Sequence, residues 1–311
     1  MIELNGLAKT FDGAVHALRD VSFSVPAGSV CALLGHNGAG KTTTIKILST
    51  LLRPSAGTAI VAGYDVVTQP AQVRANISMA AQANAMDPML TGRENLVLFG
   101  RLRGMRRREA KARAAELIEQ FDLVDAADRQ VATYSGGMWR RVDLASALVV
   151  PTKVLFLDEP TIGLDPRSRR NVWALVSSLA QHEVTVLLTT QYLEEADVLS
   201  DSIVVIDHGR VIASGTAEEL KLRVGSRYCQ VTLANPADLP QVAAALAGFD
   251  GIDIDADTNS VSVLAPLGVA TLGEVFRCVD ALGIELVDIS LRKPSLDEVF
   301  LHLTEPTVVQ S

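Results

Sequence analysis

Cysteine is scarce in this chain: its 311 residues include only Cys31, Cys229 and Cys278, far apart and outside any CxxC or matched histidine spacing. That pattern argues against a disulfide framework or a zinc site and suits a reducing compartment. Positive charge is not in excess either, since 28 Lys and Arg against 36 Asp and Glu leave a net −8. No basic field marks the whole chain for nucleic acid. Although 48% of the residues are hydrophobic, no apolar run approaches the ~18 residues that a membrane-spanning helix requires. The opening Met1-Ile2-Glu3-Leu4 lacks a basic region followed by an apolar stretch and does not read as a secretory signal. The expectation is a protein that stays inside the cell and meets a membrane only through a partner chain.

What is present is length for roughly two domains, at about 150 residues each. Residues 2–63 read as short strands and turns, with Val21, Phe23 and Val25 alternating with serines. Residues 29–35 form a continuous apolar strand of the kind buried on both faces. Ile45, Leu48 and Leu52 then recur at helical spacing over 41–52, and Pro54 follows. Residues 93–150 read mostly helical, with turns near Gly104 and over 125–133. Strands at 154–157, 184–190 and 203–206 alternate with helices at 168–181 and 192–199, which predicts a parallel sheet with crossover helices.

The pattern changes after Val224, where Gly225-Ser226 makes a junction. The expected units are residues 1–224, a small α+β domain over 225–305 and a frayed tail over 306–311. The second unit reads as strand 228–233, helix 237–246, a strand pair around Asp257-Thr258-Asn259, helix 272–282, strand 285–291 and helix 296–303. That is the ferredoxin-like order. No convincing internal repeat is found.

Chemistry concentrates in the first unit. Gly35-His36-Asn37-Gly38-Ala39-Gly40-Lys41-Thr42, with Thr43 beyond it, fits the P-loop spacing and sits between a strand and a helix. Glycines let backbone N–H groups turn toward phosphate oxygens, the helix N-terminus faces the same anion, and Lys41 adds a cation at the β/γ-phosphates. Thr42 offers its hydroxyl to Mg²⁺. The apolar strand Val154-Leu155-Phe156-Leu157 ends in Asp158-Glu159, delivering carboxylates to the sheet edge where ligands bind in parallel α/β folds. Asp158 is expected to hold Mg²⁺ through its water shell and Glu159 to polarise the attacking water. Alone, two acids after a strand also describe a solvated loop; beside a P-loop they read as the second half of a nucleotide site.

At these residues the sequence resembles the ATP-binding cassette family over about residues 1–220. Tyr134-Ser135-Gly136-Gly137-Met138 lies where that family carries its LSGGQ signature, 23 residues (158 − 135) before the Walker B aspartate. Ser135 also reads as the cap of a following helix, and its hydroxyl with the Gly136 and Gly137 amides could grip a γ-phosphate. The resemblance further implies adenine stacking by Phe11, with an ordinary core aromatic as the alternative. It implies a Q-loop role for Gln82, nine residues before Thr91, that links Mg²⁺ and water to a transmembrane partner. Asp165 in Gly163-Leu164-Asp165-Pro166 matches the D-loop.

Three departures matter: His36 replaces the usual proline of the P-loop, Tyr134 and Met138 replace the flanking signature residues, and Gln191 stands in the place of the switch histidine. Gln191 can donate an amide N–H to a γ-phosphate but cannot carry charge. These departures, the run Thr189 to Asp197 and the ending Pro294 to Thr304 resemble the daunorubicin/doxorubicin-resistance branch of the family. The resemblance implies an ATP-hydrolysing exporter subunit on the cytoplasmic face of the membrane, paired with a separately encoded permease and with a second copy across two ATP molecules. A soluble cassette switch protein and an ATP-binding regulator with weak turnover are the competing readings. Two further features keep open meanings. Leu296, Val299, Phe300 and Leu303 form an i, i+3, i+4, i+7 stripe that suits core packing or a partner contact. Seven basic residues over 101–113 suit a solvated face or an anionic membrane surface.

Overall fold

The computed structural model describes residues 1–11, 15–80, 86–180, 183–224 and 227–304. Two long strands open the chain, β1 (Ile2–Phe11) and β2 (Val15–Val25). They bury Ile2, Leu4, Leu7, Leu18, Val21 and Val25, and their largely alternating burial is that of a half-covered antiparallel sheet. β3 (Val30–Leu34) is buried at all five positions and leads through residues 35–40 into α1 (Lys41–Leu48). β4 (Ala56–Val61) and β5 (Tyr64–Asp65) complete a four-stranded sheet in the order β2-β1-β4-β5. α2 (Pro70–Asn76) passes to β6 (Ile77–Ala80). α3 (Gly92–Leu102), α4 (Arg107–Gln120) and α5 (Gly136–Ala147) then form a helical insert. α3 starts on a reciprocal cap in which Thr91 and Glu94 each accept the other's backbone N–H.

β7 (Val154–Asp158), α6 (Pro166–Ala180), β8 (Thr185–Thr190), α7 (Leu193–Leu199), β9 (Ser202–Asp207) and β10 (Arg210–Gly215) follow. The main sheet runs β10-β9-β3-β8-β7-β6. Five of its six strands, β9-β3-β8-β7-β6, are parallel, and β7 and β8, like β3, are buried throughout. The expected parallel sheet is therefore present with one addition: β10 pairs antiparallel with β9 as an edge hairpin. The helix expected over 41–52 stops at Leu48, because Thr50 turns the chain at φ 65. Arg101, Arg103 and Arg113 donate to the Met105, Ile77 and Leu148 carbonyls, which gives part of the basic stretch a structural occupation.

Contacts divide the chain into Met1–Ala217 and Glu218–Ser311, so most of α8 (Ala217–Val224) belongs to the second unit, whereas the sequence put the junction at 224/225. The second unit contains β11 (Tyr228–Leu233), α9 (Leu239–Ala245), β12 (Asp253–Asp255), β13 (Ser260–Leu264), α10 (Val269–Asp280), β14 (Leu286–Arg292) and α11 (Leu296–Thr304). Its sheet runs β12-β13-β11-β14 with every pair antiparallel. Cys229, Val231 and Leu233 alternate inward and meet Val242, Val261, Val263, Val275 and Val279 in a core separate from that of the first unit. Leu296 and Val299 of the C-terminal stripe are buried. Gly225-Ser226 and the tail over 306–311 lie outside the described residues. Among the described residues no helix is long and apolar enough to cross a membrane.

Candidate functional site

The C-terminal ends of β3, β7 and β8 emerge at one edge of the main sheet, where ligands bind in this class of fold. The turn from β3 into α1 needs glycine for steric reasons. Gly40 has φ 112, and a Cβ there would lie 2.7 Å from the Ala17 carbonyl oxygen and from Leu18 Cδ2. Gly38, at φ 88, has no atom within 4 Å of where its Cβ would be. The chain thus crowds its own backbone at one glycine and opens to a cleft at the other. That cleft has a volume of about 590 Å³ and is lined by Ala17, His36, Asn37, Gly38, Gly40, Lys41, Thr42, Thr43, Glu159 and Ile162.

Lys41 is 4% exposed. Its Nζ donates to the Gly35 carbonyl at 2.6 Å and the His36 carbonyl at 3.2 Å, and lies 3.5 Å from Glu159 Oε1. Burial pulls the ammonium below the usual lysine range, and Glu159 and Asp158 oppose that shift. Thr42 Oγ1 donates to Asp158 Oδ1 at 3.3 Å. The same carboxylate oxygen accepts from Thr189 Oγ1 at 2.6 Å. Thr189 also takes the Glu159 N–H on its hydroxyl at 3.0 Å and on its carbonyl at 3.2 Å. Glu159 sits at φ 50, a left-handed conformation costly for a non-glycine residue. The hard oxygens of Thr42 and Asp158 fit a small divalent cation that keeps several waters.

Several of the expected residues therefore converge: residues 35–43, Asp158 and Glu159 share one region of the first unit. Gln191, immediately after β8, joins them by lining a small depression with Glu159, Thr190 and Glu195. Others lie elsewhere within the chain. Phe11 is 38% exposed at the end of β1, not a core aromatic, with Lys9 Nζ 5.1 Å from its ring centre; it does not line the cleft. Ser135 caps α5 by accepting from the Met138 N–H at 3.3 Å, and both Ser135 and Gly136 are exposed away from the cleft lining. Gly137 leaves no room for a Cβ against the Ser168 side chain, so glycine there has a reason within the same chain. Asp165 accepts the Arg167 and Ser168 N–H groups, each at 3.0 Å, at the start of α6. A bond from the Ser168 hydroxyl foremost, together with these two, holds its carboxyl below the usual range. Gln82 lies outside the described residues.

The roles of two residues at the site escaped the sequence reading. Thr189 opens the run that carried the family resemblance, but its link to both acids was not read, because it depends on pairing with a distant strand. Arg140, 7% exposed on α5, donates to the Pro160 carbonyl at 2.7 Å, to Asp143 at 2.8 Å and to the Asp158 carbonyl at 3.4 Å. An arginine at the fifth position of a helix otherwise patterned for packing was the available signal.

Known proteins resemble this chain in sequence and in fold. The family described as ABC transporter matches residues 18–162. The doxorubicin resistance ATP-binding protein DrrA of Mycobacterium tuberculosis is 53% identical over 312 residues, covering 98% of this chain and 94% of that protein. The daunorubicin/doxorubicin resistance ATP-binding protein DrrA of Streptomyces peucetius is 48% identical over 308 residues, covering 97% and 92%. A solved structure described as the ATP binding subunit of an ABC transporter superposes with a TM-score of 0.64 at 30% identity, over 72% of this chain and 92% of that one. The chain belongs to the ABC transporter family, in its daunorubicin/doxorubicin-resistance branch, and is an ATP-binding, ATP-hydrolysing transporter subunit.

Proposed function

We propose that this ATPase powers efflux of an anthracycline-like or other hydrophobic drug through a separately encoded membrane permease, from the cytoplasmic face of the membrane. The observation that carries the catalytic part is the convergence of Lys41, Thr42, Asp158 and Glu159 on one cleft at the ends of β3 and β7. Lys41 meets the phosphate charge, exchanging the Gly35 and His36 carbonyls for phosphate oxygens. Loop amides over 36–43 and the N-terminus of α1 complete the anion cradle. Thr42 and Asp158 would hold Mg²⁺, which supplies charge neutralisation at the β/γ-phosphates when bound. Glu159, fixed by the Thr189 hydroxyl and carbonyl, orients the water that attacks the γ-phosphorus. Gln191 donates an amide N–H toward the γ-phosphate from the end of β8, and the family resemblance gives Gln82 a role in linking Mg²⁺ and water to the permease. Phe11 offers a ring face to adenine.

The exposed Ser135, Gly136 and α5 N-terminus support a two-fold dimer in which each chain's signature closes over its partner's nucleotide, with Asp165 near the seam. The strand order and pairing of the second unit support a ferredoxin-like domain following the cassette. The printed names of the relatives, both drug-resistance proteins, support the substrate class.

The test is co-expression in a drug-sensitive host with a neighbouring open reading frame that encodes about six membrane-spanning segments. Doxorubicin accumulation is expected to fall, and to return to the control level when the pair carries Glu159→Gln. Unchanged accumulation with the parent pair would refute the drug-efflux reading. Light scattering adds the dimer: Glu159→Gln protein is expected to double in mass with ATP and Mg²⁺, and Ser135→Arg introduced into it to stay monomeric with nucleotide bound.

A further inference from the structure

One side chain of the phosphate loop and two of the neighbouring hairpin form a group that the ATPase reading does not use. His36 Nδ1 faces the Asn37 carbonyl at 2.6 Å, and His36 Nε2 faces Asp207 Oδ1 at 2.7 Å. A carbonyl can only accept, so Nδ1 carries the hydrogen. An ionised carboxylate can also only accept. The contact between Nε2 and Oδ1 is therefore satisfied by a positive charge between them, a proton or a metal ion. A second imidazole stands beside the pair. His208 Nε2 is 3.9 Å from the same Asp207 oxygen, the two rings are 5.4 Å apart, and one ligand atom from each of the three residues lies within 4.8 Å of the others.

The backbone aims His208 there. Asp207 pairs with Arg210 across the β9–β10 hairpin, leaving His208 and Gly209 as a two-residue loop with φ 44 and 75. Two positive φ values are those of a type I′ turn, which favours Asn-Gly or Asp-Gly. Histidine accepts the left-handed position less readily than asparagine, yet it occupies the place that sets an imidazole next to Asp207.

We propose that His36, Asp207 and His208 form a site for a transition ion of the Zn²⁺ class, separate from the Mg²⁺ of the nucleotide, that ties the phosphate loop to the β9–β10 hairpin. Tetrahedral zinc with bonds near 2.0 Å holds its ligand atoms about 3.3 Å apart. The present 2.7 and 3.9 Å separations from Asp207 reach that spacing with changes of about 0.6 Å each, and the two imidazoles, within 4.8 Å of each other, close by up to about 1.5 Å through side-chain rotation. Two imidazoles with one carboxylate suit zinc or cobalt, whereas Mg²⁺ prefers oxygen alone. The Asn37 carbonyl holds the His36 ring in the tautomer that ligates through Nε2, a usual outer-shell arrangement. With 42% and 81% of the two histidine side chains exposed, a fourth position stays open to water. The occupant bears on the nucleotide cleft, because His36 lines it and the His36 carbonyl accepts from Lys41.

The test is calorimetric titration of tag-free full-length protein with Zn²⁺, paired with Co²⁺ absorption as a report of coordination. The parent is expected to take one ion per chain at this site. His208→Asn removes the imidazole while suiting the turn, and Asp207→Asn removes the charge. Each is expected to weaken binding at least tenfold, with His208→Asn retaining the parent's ATP turnover in the absence of zinc. Thr42→Ala is expected to bind zinc within twofold of the parent. The proposal is overturned if the parent takes no zinc, which leaves a proton as the occupant. It is equally overturned if the two hairpin variants bind like the parent, or if Thr42→Ala abolishes binding and so assigns zinc to the Mg²⁺ position.

Discussion

Replacing Thr189 by valine isolates what holds the two acids of the site together. Valine keeps the branched shape and the strand preference of threonine at a position that is 0% exposed, so packing changes little while the hydroxyl is lost. Two bonds go with it: the 2.6 Å bond donated to Asp158 Oδ1 and the 3.0 Å bond accepted from the Glu159 N–H. The Glu159 amide keeps the Thr189 carbonyl at 3.2 Å, and Asp158 keeps the Thr42 hydroxyl at 3.3 Å. Neither partner is stranded, which places the cost near the lower part of the ~1.5–3 kcal/mol range for hydrogen bonds to charged groups, at about 2 kcal/mol. For a unit of 217 residues that lowers the thermal midpoint by roughly 4–8 °C.

The functional effect is expected to be larger than the loss of stability suggests, because Asp158 loses the bond that orients it toward the cation. Removing such an outer partner typically costs about 10–100-fold in metal affinity or activity. The assay is ATP turnover against Mg²⁺ concentration at saturating ATP, beside thermal unfolding followed by circular dichroism. Thr189→Val is expected to need at least tenfold more Mg²⁺ for half-maximal turnover, and Thr189→Ser, which retains the hydroxyl, to stay within twofold of the parent. An unchanged Mg²⁺ dependence in Thr189→Val, with the midpoint lowered as expected, would refute the claim that this hydroxyl positions the carboxylate.

Three further expectations follow from the same geometry. Lys41→Ala is expected to abolish ATP binding in a direct titration, whereas Glu159→Gln preserves it and slows turnover at least a hundredfold, about 2.7 kcal/mol of barrier; normal turnover in Glu159→Gln contradicts its assignment. Gln191→His is expected to leave nucleotide affinity within a few fold and to raise turnover if the missing imidazole limits the rate, and lower turnover would instead mean that Gln191 is fitted to its surroundings. Arg140→Met leaves Asp143 buried and unpaired, an expected loss of about 3–5 kcal/mol in denaturant unfolding, whereas Arg140→Met with Asp143→Leu recovers most of it. Burial already holds the Asp143 carboxyl above its ordinary range despite Arg140. Its favourable protonated form is retained at low pH and lost as pH rises through the folded pKa, so the single variant suffers more at pH 8 than at pH 5. An Arg140→Met loss independent of pH would count against an unpaired Asp143 as its source.

Some of the site is local in the chain and was therefore legible in the sequence. The loop over 35–42 encodes its turn in adjacent glycines, with Lys41 opening the helix that follows. The strand Val154–Leu157 carries its two acids directly behind an apolar run that only a sheet interior accepts. Ser135 and Met138 are three residues apart, so the cap on α5 needs no other part of the fold. The ending of α1 was misread for a related reason, since Leu52 continues the helical period but Thr50 leaves the helix in a left-handed turn.

Tertiary structure decided whatever depends on strand register or on residues far apart. Asp158 pairs with Thr189 because β7 and β8 run parallel in one particular register, and no periodicity within either strand specifies that alignment. Arg140 reaches the Pro160 carbonyl only once α5 packs beside the turn after β7. His36 and Asp207, 171 residues apart, meet because β3 and β9 are neighbours in the sheet. The sequence by itself determined which chemical groups the chain carries and which short turns present them. The fold decided which distant groups share an oxygen, because pairing register and strand order are properties of the assembled sheet and not of any one segment.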